Sequence, residues 1–192
     1  MGQLSEQQIE RAAYLCSLSY DLKARKYFSR IDFFEADNIF GFVQYADAFL
    51  EIVFTGSNDP QDWWINFNFR KTKQGIHRGW WDSYKKIKSQ IDDILDTYPS
   101  DFPLYIYGHS AGGALAGICA LFRARKRSCY LITFGQPKFC NQLTGDRLMA
   151  DVKDYARIVN WGDIVPMLPI GNYIHVGRLL KRFVLGNPHS IN

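Results

Sequence analysis

The chain has 192 residues, 47% hydrophobic and 22% charged, with a formal net charge of +4. That length supports one sizeable core, read as a single domain over 1–192, and that balance excludes both a disordered chain and one built around a nucleic-acid partner. The four cysteines (Cys16, Cys119, Cys129, Cys140) are scattered, with neither the density of a disulfide framework nor the spacing of a metal site, so they read as reduced and mostly buried.

At the start of the chain, residues 1–6 lead into a polar amphipathic segment rather than a secretory signal, and Glu6 stands where a myristoylation motif on Gly2 needs Ser or Thr. No apolar run reaches membrane-spanning length, so the sequence reads as cytoplasmic, with release by another route left open. Ser5 and Gln8 suit a capping box, after which Ile9, Ala12, Ala13, Cys16 and Tyr20 recur at helical spacing. Residues 31–34, 39–45 and 49–54 read as strands, the last two joined by a short turn. Trp80, Tyr84, Ile87, Ile91, Leu95 and Tyr98 mark an amphipathic helix that Pro99 stops.

Next comes the strand-like run 103–107, then Gly108-His109-Ser110-Ala111-Gly112-Gly113, then an Ala/Leu-rich helical stretch. The basic run 123–127 closes that stretch and reads as a solvated helix C-terminus, with an anionic lipid surface as the alternative. A buried strand over 129–134, a helical piece over 143–152 and a strand over 155–161 follow, and 173–176 with 179–185 suggest a closing hairpin. Antiparallel strands followed by β-α-β units predict an α/β protein with a mixed, mostly parallel central sheet flanked by helices.

A G-x-S-x-G at a strand–turn–helix junction is the setting of a nucleophile elbow, where a sharp turn exposes the serine hydroxyl, so Ser110 is the candidate nucleophile. A serine needs a base, and the base an orienting carboxylate. Only His175 and His189 follow Ser110, and the acids between are Asp146, Asp151, Asp154 and Asp163. Asp146, Asp151 and Asp154 belong to or adjoin a polar helical stretch, whereas Asp163 comes just past the carboxyl end of a strand, where the sites of open α/β sheets collect. His175 sits inside an alternating strand-like run and His189 in a loop after Gly186-Asn187-Pro188, which favours His189 while leaving His175 open. His109 adjoins the serine, where neighbouring side chains point apart, so packing is its expected role. The oxyanion needs donors: the Ala111 N–H is one, and the Thr55-Gly56-Ser57 loop offers another through Ser57, although the same residues also suit a plain turn.

In order along the chain, Val53-Phe54-Thr55-Gly56-Ser57, Asp62-Trp63, Ile76-His77-Arg78-Gly79, the elbow, Thr133-Phe134-Gly135-Gln136-Pro137, Asn160 with Asp163-Ile164-Val165-Pro166, and His189-Ser190-Ile191 resemble the motifs of the class 3 lipases, the family of the fungal triacylglycerol lipases. The resemblance implies an α/β-hydrolase fold. It also implies Ser110, Asp163 and His189 as a catalytic triad and Ser57 with Ala111 as the oxyanion hole. His175 becomes the non-catalytic histidine that follows the acid. Thr55 and Ala111 depart from the family's Arg and Leu, and the chain stops three residues past His189, where the family's terminal helix would begin, which leaves His189 loosely held.

Residues 59–69, with Trp63, Trp64, Ile65 and Phe67, are lid-like and would line the substrate cleft, although Ile65, Phe67 and Phe69 also alternate as a buried strand would. The expected activity is cleavage of a lipid or small ester substrate without cofactor or metal, with peripheral contact to lipid surfaces. The alternatives are a short-chain esterase, thioesterase or phospholipase on the same scaffold, or a lipid-surface binding module that has lost catalysis.

Overall fold

Alternation along the central strands sets the layers. In β3 (Phe49–Phe54), β4 (Leu104–His109) and β5 (Cys129–Phe134), the side chains of Leu50, Ile52, Leu104, Ile106 and Leu131 point to one face. Val53, Tyr107, Ile132 and Phe134 point to the other. Both faces are buried, so these strands read as near-continuous apolar runs. The structure is a computed structural model that describes residues 4–21, 31–56, 70–182 and 189–191.

The first face is covered by α2 (Arg78–Asp96) and α3 (Ala111–Arg123). Trp80, Tyr84, Ile87, Ile91 and Leu95 form the buried stripe of α2 at the spacing expected for a helix lying on a sheet. The second face is covered by α1 (Glu6–Leu18), through Ala12, Leu15 and Cys16. The predicted capping box opens α1: Ser5 Oγ accepts the Gln8 N–H at 3.3 Å and Gln8 Oε1 accepts the Ser5 N–H at 2.8 Å.

With β1 (Ile31–Ala36), β2 (Ile39–Ala46), β6 (Asp154–Asn160) and β7 (Arg178–Arg182), the strands form one seven-stranded sheet in sequence order. The β1–β2 and β2–β3 pairs are antiparallel, and every pair from β3 to β7 is parallel. β3 to β6 therefore present their carboxyl ends at one rim. The helix α4 (Gln142–Asp151) links β5 to β6, and no helix among the described residues is long and apolar enough to cross a membrane.

Two expectations are corrected. The closing hairpin does not form: Ile174 makes only an isolated bridge to Cys140, and β7 pairs in parallel with β6, Ala156 opposite Arg178. Gly177, at φ 92°, makes the turn that resembles a hairpin, but the chain crosses over rather than doubling back. The basic run is only in part a solvated helix end, since Arg125 and Lys126 are exposed but Arg123 and Arg127 are buried. Arg123, 3% exposed, pairs with Asp92 and stands 3.7 Å from Asp96, while Arg127 donates to the Leu95 carbonyl at 3.1 Å and Arg125 to Asp151 at 2.8 Å. These guanidinium groups tie the end of α3 to α2 and α4, while Arg125 and Lys126 stay exposed.

A charge also lies under α1. Glu51 is fully buried, accepts both Arg11 Nε and Nη2 at 2.6 Å, and takes the Tyr107 hydroxyl at 3.1 Å. Its polar side chain survives inside an apolar layer because each oxygen is satisfied. Arg11→Ala leaves that carboxylate uncompensated and is expected to cost about 3 kcal/mol, the lower end for a broken buried pair because Arg11 itself is part-exposed. Urea unfolding measures this, and a loss below about 1 kcal/mol would show that water substitutes for the guanidinium.

Candidate active site

The turn between β4 and α3 is set by sterics. Ser110 holds φ 53° and ψ −128°, the strained conformation that aims its hydroxyl away from the sheet. A Cβ on Gly108 would stand 2.3 Å from the Gly112 carbonyl oxygen, and one on Gly112 would stand 2.2 Å from that of Phe54, so both positions exclude a side chain. The Ser110 N–H donates to the Phe134 carbonyl at 2.9 Å, which anchors the turn to β5. Ala111 opens α3, and the first N–H groups of a helix have no intrahelical acceptor, so its amide is available to a developing negative charge.

The carboxylate comes from the next rim position but one. β6 ends at Asn160, the chain turns through Gly162 at φ 85°, and Asp163 follows with its side chain 1% exposed. Oδ1 accepts the Val165 N–H at 3.0 Å, which fixes the carboxylate's orientation. His189 stands between the two groups. Its Nδ1 lies 3.0 and 2.9 Å from the Asp163 oxygens and its Nε2 2.8 Å from Ser110 Oγ. An ionised carboxylate can only accept, so Nδ1 carries the proton. Nε2 of the neutral ring is then the acceptor for the serine O–H, the tautomer that base catalysis needs.

The other candidates are engaged elsewhere. His175 is held at about 4 by burial, with Arg157 and Lys138 adding to the effect. Asp146 accepts from Gln142 at 2.7 Å, Asp151 from Arg125, and Asp154 from the Leu4 N–H at 2.8 Å. His77 is buried beside the ring of Tyr173, 5.0 Å between centroids, and burial lowers it to about 4. All four cysteines are buried, and burial raises Cys119 to about 11 and Cys129 and Cys140 to about 12, far from a nucleophilic thiolate. Ser57 and residues 59–69, including Trp63, Trp64, Ile65 and Phe67, lie outside the described residues.

Several neighbours of the site stand in the quoted motifs without their contacts being evident from the spacing. Gly135, at φ 54°, leaves space that a Cβ would fill at 2.9 Å from Asp163 Oδ2 and 3.0 Å from His189 Cε1. The sequence signal was a glycine directly after a buried strand. Gln136 donates to the Gly113 carbonyl at 3.1 Å and accepts the hydroxyls of Thr133 and Tyr155, bracing the first turn of α3 from behind. His109 does more than pack: its Nε2 lies 2.9 Å from the His189 carbonyl oxygen. Around the acid, Trp161, Ile164, Met167 and Ile170 are 66 to 85% exposed, four large apolar side chains within ten residues. Lys181 Nζ sits 5.8 Å from the Trp161 ring.

Known proteins resemble the chain in sequence and in fold. The chain is 29% identical over 151 residues to a lipase of Rhizomucor miehei, covering 69% of this chain and 41% of that one. It is 28% identical over 124 residues to a secreted mono- and diacylglycerol lipase of Fusarium solani, covering 59% and 37% respectively. The chain thus spans about two fifths of the length of these relatives. Among solved structures, a triacylglycerol lipase whose catalytic centre is formed by a serine protease triad superposes with a TM-score of 0.74 at 24% identity, covering 93% of this chain and 81% of that one. That likeness carries the fold, which is the α/β-hydrolase fold. The family model for lipase (class 3) matches residues 51–173, more than half of the chain, from within β3 to past the acid loop, and the chain belongs to the class 3 lipase family.

Proposed function

We propose that the chain is a carboxylic-ester hydrolase that cleaves acyl esters of lipids through an acyl-enzyme on Ser110. One observation carries the reading: His189 reaches Ser110 Oγ at 2.8 Å with one nitrogen and the Asp163 carboxylate at 2.9 Å with the other. Ser110 Oγ attacks the ester carbonyl carbon as its proton passes to His189 Nε2. The carbonyl oxygen becomes an oxyanion that accepts from the Ala111 N–H and from Ser57. Collapse of the intermediate breaks the ester C–O bond, and the His189 proton leaves with the alcohol. Water then attacks the acyl-enzyme, with His189 taking its proton and returning it to Ser110. Asp163 stays ionised and steadies the imidazolium in both halves.

Lipid esters are favoured as substrates by the exposed apolar side chains of Trp161, Ile164, Met167 and Ile170 beside the acid, and by the mono-, di- and triacylglycerol lipases among the relatives. The test is a series of chromogenic esters of increasing acyl length. Burying each added CH₂ contributes at most about 0.8 kcal/mol, so kcat/KM should climb by up to about four-fold per carbon until the cleft is full. Trp63→Ala and Trp64→Ala should penalise octanoyl esters more than acetyl esters. Equal losses at every length would place those residues in ordinary core and reduce the reading to a short-chain esterase.

A further inference from the structure

His189 follows the last described strand without belonging to one, yet its imidazole must hold two hydrogen bonds at once. Its main chain is fixed by side chains instead. His109 Nε2 lies 2.9 Å from the His189 carbonyl oxygen, and Asn160 Nδ2 donates to the Ser190 carbonyl at 2.9 Å. His109 and Asn160 end β4 and β6, the strands that lead directly to Ser110 and Asp163.

The hydrogen bonds of His109 continue outward in one direction. A carbonyl only accepts, so Nε2 carries the proton and Nδ1 of the neutral ring is an acceptor. Nδ1 lies 2.7 Å from Tyr20 Oη, so the phenol donates to it. The phenol also reaches Gly56, the residue that leads into Ser57. The approach is close: a Cβ on Gly56 would stand 2.2 Å from Tyr20 Oη. Burial, together with the neighbouring His189, lowers His109 to about 4 and keeps the ring neutral, as the chain of donors requires. Tyr20 and His109 meet edge to face, 5.7 Å between centroids, and the His109 and His189 rings lie 4.9 Å apart.

We infer that Tyr20 and His109 are positioning residues, which lock the backbone of the base to the nucleophile strand and to the loop bearing the oxyanion donor. The inference rests on the proposed roles of Ser110 and His189. A displacement of about 1 Å between reacting groups costs on the order of 100-fold in rate, so a backbone anchor on the base acts on turnover and not on affinity.

The test uses the full chain and the butyryl and octanoyl nitrophenyl esters. His109→Ala should lower kcat by about 10- to 100-fold, by the same factor on both esters, with KM within about two-fold. His109→Gln, whose amide N–H can still reach the His189 carbonyl, should recover kcat to within about five-fold of the unmodified protein, and Tyr20→Phe should lose about three- to ten-fold with its ring packing kept. The inference is overturned if Ser110→Ala is inactive while His109→Ala runs at the original kcat. It is equally overturned if His109→Gln is as slow as His109→Ala, or if the loss appears in KM alone. Should His109→Ala fail to fold, Tyr20→Phe and His109→Gln decide between the same outcomes. Hydrolysis at the original rate by Ser110→Ala would instead remove the nucleophile assignment itself.

Discussion

Ser110→Ala is expected to lower kcat by about 10⁴-fold or more, while the protein keeps its fold and its melting temperature. The hydroxyl is the only atom lost. The Ser110 N–H still donates to Phe134, and the two glycines that allow the turn are untouched. Alanine at φ 53° bears the same backbone strain as serine, so no relief of strain confounds the comparison. A serine-directed organophosphonate should label the unmodified protein once, at Ser110, and leave the variant unlabelled. Stoichiometric labelling of Ser110→Ala would move the nucleophile elsewhere and undo the mechanism.

The second large effect separates two histidines that the sequence alone leaves in competition. His189→Ala should fall with Ser110→Ala, because its Nε2, 2.8 Å from Oγ, is the group placed to take that proton. His175→Ala should keep most of its turnover and lose about 1 kcal/mol of stability through lost packing, since burial dominates its surroundings. Asp163→Asn belongs to the same experiment: the amide can donate to Nδ1 and so favours the imidazole tautomer whose proton faces Ser110, where it blocks proton transfer. Its rate should fall by about 10⁴-fold. An inactive His175→Ala beside an active His189→Ala would reverse the assignment of the base.

Local patterning made much of this molecule legible. The capping box at Ser5, the stripe from Trp80 to Leu95, and the glycines around Ser110 each state their structure within a few residues, because caps, helical faces and tight turns are local physics. Asp163 was legible from topology, since strand ends of a parallel sheet share a rim. What escaped was non-local. Tyr20 meets His109 across 89 positions and His109 meets His189 across 80, and nothing in the spacing of those residues encodes the contact. The parallel pairing of β7 escaped for the same reason: a turn glycine is visible, but the destination of a crossover is not. Charge misled where it was buried, because Arg123 and Arg127 look solvated in a sequence until their partners on another element are known.

The parallel run from β3 to β6 divides the molecule into a working rim and a plain one. Gly56, Ser110, Gly135 and Asp163 all lie at or just past the carboxyl ends, while the amino ends meet the Asp47-Ala48 turn and the segments 124–128 and 152–153. Lys126 and Lys153 are exposed on that second rim. A resin or fusion partner attached through either amine therefore grips the protein from behind, and the face bearing Trp161, Ile164, Ser110 and Asp163 looks outward into the medium.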